Sequence, residues 1–258
     1  MIATTLVRLC LAGALLAPLA PALAAERFIV LLFEDVAAGA DEAAFAACRD
    51  ARLARAPWPG LVSAQRFALN DVQMFGGVTV ALPRMLTLVE LTAADADAAA
   101  RQASAAPACA GADPAKTLAY VYRASGAPMP RAHPDPKVPA DGGPRQHYAQ
   151  VVFTVPNEAE KARFEDWYFS CHMPEILERT GLVSGQRGIE GRGTGPIAPT
   201  ATLGLYRIAL PEGMTIADTR PGPRAPDARD CETRRMMNGE LSRGYSYRAI
   251  GPARPAGP

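Results

Sequence analysis

The residues best suited to chemistry are gathered in one short stretch: Phe164, Trp167, Tyr168, His172 and Glu175. On an α-helix His172 stands four residues after Tyr168 and eight after Phe164, so the three share a face. An imidazole titrates near neutrality and can take or give a proton, with Tyr168 or Glu175 tuning it or sharing that proton. Pro174 cannot donate to the Ser170 carbonyl, which loosens the helix beside His172. Phe164 and Trp167 would form the wall of a pocket. The same residues also have a plain structural reading, because a helix lying on a sheet buries aromatic side chains and often a satisfied histidine.

These residues lead into one of two matching stretches. The chain reads GLVSAQR at 60–66 and GLVSGQR at 181–187, identical at six of seven positions and 121 residues apart. So long a period marks a duplicated domain rather than a solenoid. Before each glycine an apolar run, at 28–33 and 148–155, predicts a central strand followed by a helix. Asp41 can cap the first helix, which runs through Phe45, Cys48 and Leu53 to Pro57, Pro59 and Gly60. Asn157 with Glu160 reads as a capping box opening the second, and Gly181 closes it. After each glycine come a strand (61–69, 182–189), a turn and another strand (85–91, 201–210). A second helix follows, at 93–105 with Thr92 as its cap and at 227–237, and a last strand (118–123, 245–250). The order βαββαβ occurs twice, which predicts an α+β chain of two tandem ferredoxin-like units with antiparallel sheets. The units span 25–124 and 147–251. A Pro/Gly-rich linker joins them at 125–146, and a frayed tail occupies 252–258.

The two copies differ where chemistry is concerned. Counted back from the shared glycine, His172 and Glu175 correspond to Ala51 and Ala54, and the first helix holds no histidine. At most one of the two equivalent pockets is therefore chemically equipped.

Residues 1–24 carry one cation, Arg8, then an apolar run interrupted by Pro18 and Pro21, too short to span a bilayer. With small residues at 22 and 24 they read as a signal peptide cleaved after Ala24, or else after Ala25. The remainder has 26 basic and 26 acidic residues, since Arg8 leaves with the leader. A neutral chain has no electrostatic footprint for nucleic acid or for a membrane surface. A periplasmic or secreted protein follows. Cys48, Cys109, Cys171 and Cys231 remain after export, an even number in an oxidising compartment. Four cysteines allow three connectivities, and two unrelated buried thiol pairs are the alternative. In this arrangement of elements each copy has one cysteine on its first helix and one at its second, side by side, which favours Cys48 with Cys109 and Cys171 with Cys231. Each bridge closes a loop of about sixty residues, worth roughly 4 kcal/mol.

The segment from Phe164 to Glu175, followed by Gly181 to Arg187, resembles the dimeric α+β barrel superfamily, in particular its EthD-like branch. The matching residues are Trp167, Tyr168, His172, Pro174, Glu175, Gly181, Gln186 and Arg187, over most of the second copy and more weakly in the first. The resemblance implies two sheets facing each other as a barrel within one chain, with pockets between sheet and helices. It implies a small aromatic or apolar ligand and, in the catalytic members, monooxygenase, isomerase, cyclase or decarboxylase chemistry without metal or flavin. His172, Tyr168 and Glu175 would be catalytic, and Phe164, Trp167 and Arg187 would contact the ligand. A non-catalytic binding or scaffold protein that keeps the fold is the other reading. No cofactor is expected. Haem, bound by some relatives, is the alternative, held back by the single histidine. Further dimerisation is compatible with this fold.

Other signals carry less. Gly191 to Gly195 reads as a hairpin loop, because no helix follows to hold a phosphate. His133 and His147 have no partner at metal-ligand spacing, so no metal is expected. Neither Cys-x-x-Cys nor Gly-x-Ser-x-Gly occurs. Gln and Arg alternate faces in a strand, and the plainer reading of Arg66 and Arg187 is a solvent-facing arginine.

Overall fold

The computed structural model describes residues 25–55, 58–74, 80–105, 108–139, 142–220, 231 and 236–255. The stretch read as a signal peptide, 1–24, and most of the helix expected at 227–237 lie outside them. Strands β1 (Glu26–Glu34), β2 (Leu61–Met74), β3 (Met85–Ala93) and β4 (Leu118–Ala124) alternate with helices α1 (Glu42–Arg55) and α2 (Ala96–Ser104). A short β5 (Met129–Pro130) precedes β6 (Arg145–Thr154), β7 (Leu182–Thr194), β8 (Thr202–Pro211), β9 (Arg243–Ala249) and β10 (Arg254–Pro255). The antiparallel order β2-β3-β1-β4-β7-β8-β6-β9 returns to β2 through the β2–β9 pairing, so eight strands close a barrel. Within each half the strands run fourth, first, third, second across the sheet.

Period-two alternation decides which side chains fill it. On β1, Ile29, Leu31 and Phe33 point into the barrel, whereas Phe28 and Val30 point out to α1 and α2. On β6, Ala149, Val151 and Phe153 face inward and Tyr148 and Val152 outward. The interior is a packed core. Phe33 meets Tyr120 at 5.7 Å, Tyr120 meets Phe153 at 5.9 Å, and Phe153 meets Tyr245 at 6.1 Å between ring centroids. Their hydroxyls escape to carbonyls at the rim, Tyr120 to Ile197 at 2.6 Å and Tyr247 to Pro83 at 3.1 Å.

Several local expectations change. Asp41 caps α1 as foreseen, accepting from Ala43 and Ala44. Helix α2 begins at Ala96 with Asp95 as its cap, at 2.7 Å from the Ala98 amide, because Thr92 stays in β3 and bonds Gly60 instead. The Asn157 side chain makes no cap; its amide reaches the Met237 carbonyl at 3.5 Å. Gly191 and Gly193, expected in a hairpin loop, lie in β7. A Cβ at Gly193 would lie 2.5 Å from Tyr120 Cδ1 and 2.6 Å from the Ala119 carbonyl oxygen, so the bare backbone is what lets β7 pair with β4 there.

The stretch read as a linker is tied down: β5 pairs with β7, and Arg131 donates to the carbonyls of Leu177 (2.9 Å), Glu178 (3.1 Å) and Arg179 (2.6 Å). Asp135 accepts from the Gly181 amide at 2.6 Å. Past Gly251, where fraying was expected, β10 pairs with Ser63 and Ala64, and Arg254 donates to the Leu53 carbonyl at 2.7 Å. The four cysteines form two disulfides, Cys48–Cys109 and Cys171–Cys231, with Cα atoms 5.7 and 5.6 Å apart. Such bridges are compatible with an extracellular protein.

Candidate functional site

The segment carrying Trp167 and His172 is not one regular helix. A 3-10 turn (Glu158–Arg163) leads into α3 (Phe164–Trp167), a π turn (Tyr168–His172) and α4 (Met173–Leu177). Pro174 has no N–H for the Ser170 carbonyl, and the Met173 amide bonds five residues back to Tyr168, which widens the turn. Gly181 then takes φ of 76°, a left-handed value that suits glycine, and the chain turns into β7.

The widened turn drives its side chains against the outer face of the sheet. His172 is 7 % exposed, its ring stacked on Trp167 at 4.8 Å and 20° and meeting Tyr168 edge-on at 5.0 Å. His172 Nδ1 and Trp167 Nε1 are both buried and find no hydrogen-bond partner among the described residues. Burial, reinforced by the positive charges of Arg179 and Arg187, pushes the His172 imidazole down to about 3, so it is neutral at physiological pH. Beneath it the Tyr168 and Tyr206 hydroxyls share a hydrogen bond of 2.7 Å, and burial raises both phenols above their usual range.

Arg187 underlies this cluster and is fully buried, which corrects the solvent-facing reading. Its Nε and Nη2 donate to Glu165 at 2.9 and 2.6 Å, and its Nη1 donates to Thr154 Oγ1 at 2.7 Å. Its guanidinium carbon lies 3.9 Å from the Tyr168 ring centre and 5.3 Å from that of Phe164. Strand alternation holds, since Gln186 turns into the barrel and Arg187 out to the helical layer. Arg66 follows the same rule and pairs with Asp50 on α1.

The structure thus brings Phe164, Trp167, Tyr168, His172 and Arg187 into one cluster. Glu175, partly buried on α4, takes no part in these ring contacts. Sequence reasoning missed Tyr206, Thr154 and Glu165, which lack a motif, and Gly204. A methyl at Gly204 would overlap the Tyr168 hydroxyl and lie 3.2 Å from Tyr206 Cε2. An isolated glycine inside an apolar strand was its one visible signal.

The first half fills the matching place differently. Arg187 pairs in register with Gly204, and Arg66 with Thr87. Around Thr87 the buried Arg49 donates to Thr87 at 3.2 Å and to Glu34 at 3.2 Å, and Arg52 also binds Glu34. Burial brings Arg49 down to about 10. An ion network stands there in place of histidine and tyrosine. Among the described residues no group of three or more His, Cys, Asp and Glu side chains could hold a metal ion, and no helix is long and apolar enough to cross a membrane.

No family model matches the chain, and no curated protein is significantly similar in sequence. Solved structures do match. An anthrone oxidase-like protein is 12 % identical with a TM-score of 0.53, covering 90 % of this chain and 94 % of that one. A candidate monooxygenase from Fusobacterium nucleatum subsp. nucleatum is 8 % identical with a TM-score of 0.51, covering 91 % and 96 %. At these identities the likeness is one of fold, an α+β chain closed as an antiparallel barrel.

Proposed function

We propose that this protein is an exported EthD-like member of the dimeric α+β barrel superfamily, made by tandem duplication of a ferredoxin-like unit. The leader would be cleaved after Ala24. Its second half acts as a cofactor-independent enzyme on a small aromatic or apolar compound, in the manner the names of the monooxygenase and anthrone oxidase-like neighbours suggest. The repeated GLVS-x-QR stretch and the strand order common to both halves support the duplication.

One observation carries the functional reading. Two ring nitrogens, His172 Nδ1 and Trp167 Nε1, lie buried on stacked rings at a π turn without partners among the described residues. Buried polar atoms are seldom left unpaired, and π turns gather at functional sites. A ligand bearing a polar edge would satisfy both. His172 is the proton-transfer residue: as a neutral imidazole it accepts a proton from an acidic C–H or O–H of the bound compound. The charge left on the compound is stabilised by the Tyr168–Tyr206 hydroxyl pair and by the positive field of Arg187. Tyr168 and Glu175 assist, and Phe164 and Trp167 form the wall. Haem ligation by His172 is kept as an arm of the test.

The second reading, a non-catalytic binding or scaffold protein, draws on the tight stack of His172 on Trp167 and its weakened basicity. Thermal unfolding of the disulfide-bonded protein, screened against small aromatic and quinone-like compounds and haem, separates the two. The enzyme reading expects a compound that raises the melting temperature of wild type but not of His172→Ala, followed by turnover that the variant lacks. Binding without turnover, or stabilisation that survives in His172→Ala, would move the assignment to the second.

A further inference from the structure

The barrel has a mouth where β1, β2, β6 and β7 begin, and its inward positions are strongly polar. Alternation puts Arg27, Ser63, Gln65, Glu90, His147 and Arg207 there, on the opposite face of the sheet from His172. Glu90, 7 % exposed, is the carboxylate among them, and it is shared. Ser63 Oγ donates to it at 2.7 Å, Arg27 Nη2 lies at 3.4 Å, and Arg207 Nη2 at 3.7 Å. One negative charge thus serves two guanidiniums.

Directly above opens a cleft of about 560 Å³, lined by Gln65, Arg145, His147, Arg248 and residues 249–253 among others. No Asp or Glu is among its described lining residues. Arg145 donates to the Pro139 carbonyl at 2.5 Å. Arg248, in register with the outward-facing Tyr148, stands at the lip between this cleft and the next. The adjoining cleft, about 500 Å³, shares Arg248; its Asp71 is paired with Arg220 at 3.6 Å. Deeper in the barrel Gln186 faces inward opposite Leu205, two residues along β8 from Arg207, with both amide atoms buried and unpartnered among the described residues. A concave, partly desolvated mouth with surplus positive charge concentrates anions.

We propose that this mouth binds a small oxyanion, a carboxylate or a phosphate, held by Arg145 and His147 above and by the field of Arg27 and Arg207 below. The site is independent of the chemistry assigned to His172. Glu90 opposes the ligand and limits its affinity.

Calorimetric titration of the full disulfide-bonded chain with inorganic phosphate, and separately with succinate, tests this at ionic strength held constant with sodium chloride. Saturable binding of at least one is expected, and the relative affinities say which oxyanion the mouth favours. Arg145→Gln, a rim substitution, should weaken it about tenfold or more, the loss of one charge-assisted hydrogen bond. Glu90→Gln should tighten it, and His172→Ala should leave it unchanged. Binding of neither anion above the chloride background, or an Arg145→Gln protein that melts and binds as wild type does, would overturn the proposal.

Discussion

Gly204 sets how closely the π turn can approach the sheet, and replacing it with alanine tests the packing of the whole cluster. The new methyl would occupy the place of the Tyr168 hydroxyl and lie 3.2 Å from Tyr206 Cε2. Tyr168 is fully buried between His172, Trp167 and Arg187, so its ring has no free direction in which to retreat. Overpacking of this kind costs about 1–3 kcal/mol, and breaking the Tyr168–Tyr206 bond strands a buried hydroxyl for about 1–3 more. A loss of about 3 kcal/mol would lower the melting temperature by roughly 6–12 °C in a chain of this size. The double variant makes the reasoning specific. Because the overlap is with the hydroxyl itself, Gly204→Ala should cost clearly less in a Tyr168→Phe background than in wild type. Thermal and urea unfolding of the four proteins gives the coupling energy directly. Additive effects, or a Gly204→Ala protein as stable as wild type, would mean that this glycine does not hold the turn in place.

Two other perturbations probe the charges beneath the cluster. Glu165→Ala leaves the fully buried Arg187 without its carboxylate and should cost about 1–2 kcal/mol in urea unfolding, less than a wholly buried pair because the Glu165 side chain is 42 % exposed and Thr154 still accepts from Arg187; a loss below about 0.5 kcal/mol would mean that the half-exposed carboxylate contributes little. His172 sits near pKa 3 when folded and about 6.5 when unfolded, so between those values the unfolded chain binds the extra proton and stability falls as pH falls. From pH 7 to 5 wild type should lose about 2 kcal/mol more than His172→Phe, and parallel stability curves for the two proteins would contradict the burial assigned to the imidazole.

What the sequence made legible was whatever local chemistry controls. Apolar runs placed β1 and β6, alternation split Gln186 from Arg187, and the place of each cysteine on the helices of its copy led to the two bridges. Pro174 announced a disturbed helix, though not that Met173 would close a π turn. Tertiary partners were hidden. Tyr206 and Thr154 come from different strands and meet Tyr168 and Arg187 only once β6, β7 and β8 are aligned. Arg187 and Arg66 were misread for the same reason, since whether an arginine meets water depends on the helix laid over it. The Asn157 cap failed because the chain enters this segment through a 3-10 turn, which leaves that side chain pointing at residue 237.

The two halves fill the space above the sheet in different ways. In the second half the strand supplies the cation and the helical segment the anion, Arg187 with Glu165. In the first half the matching strand arginine keeps that sense, Arg66 with Asp50 on α1, but a second network of reversed sign stands beside it around Thr87: the strand supplies Glu34, and helix α1 supplies Arg49 and Arg52. A strand-borne arginine that reaches outward past Tyr168 leaves the space above the sheet to aromatic rings and an uncharged imidazole. Helix-borne arginines reaching down to Glu34 fill that same space with their own side chains. Placing a histidine at Ala51 would therefore not create a second site, because Arg49 already occupies the ground on which a tyrosine pair would have to stand. The asymmetry is one of packing as much as of missing residues. Building a matching cluster in the first half would require the ion network around Glu34 to be replaced as a unit, since removing one member leaves a buried charge unpaired.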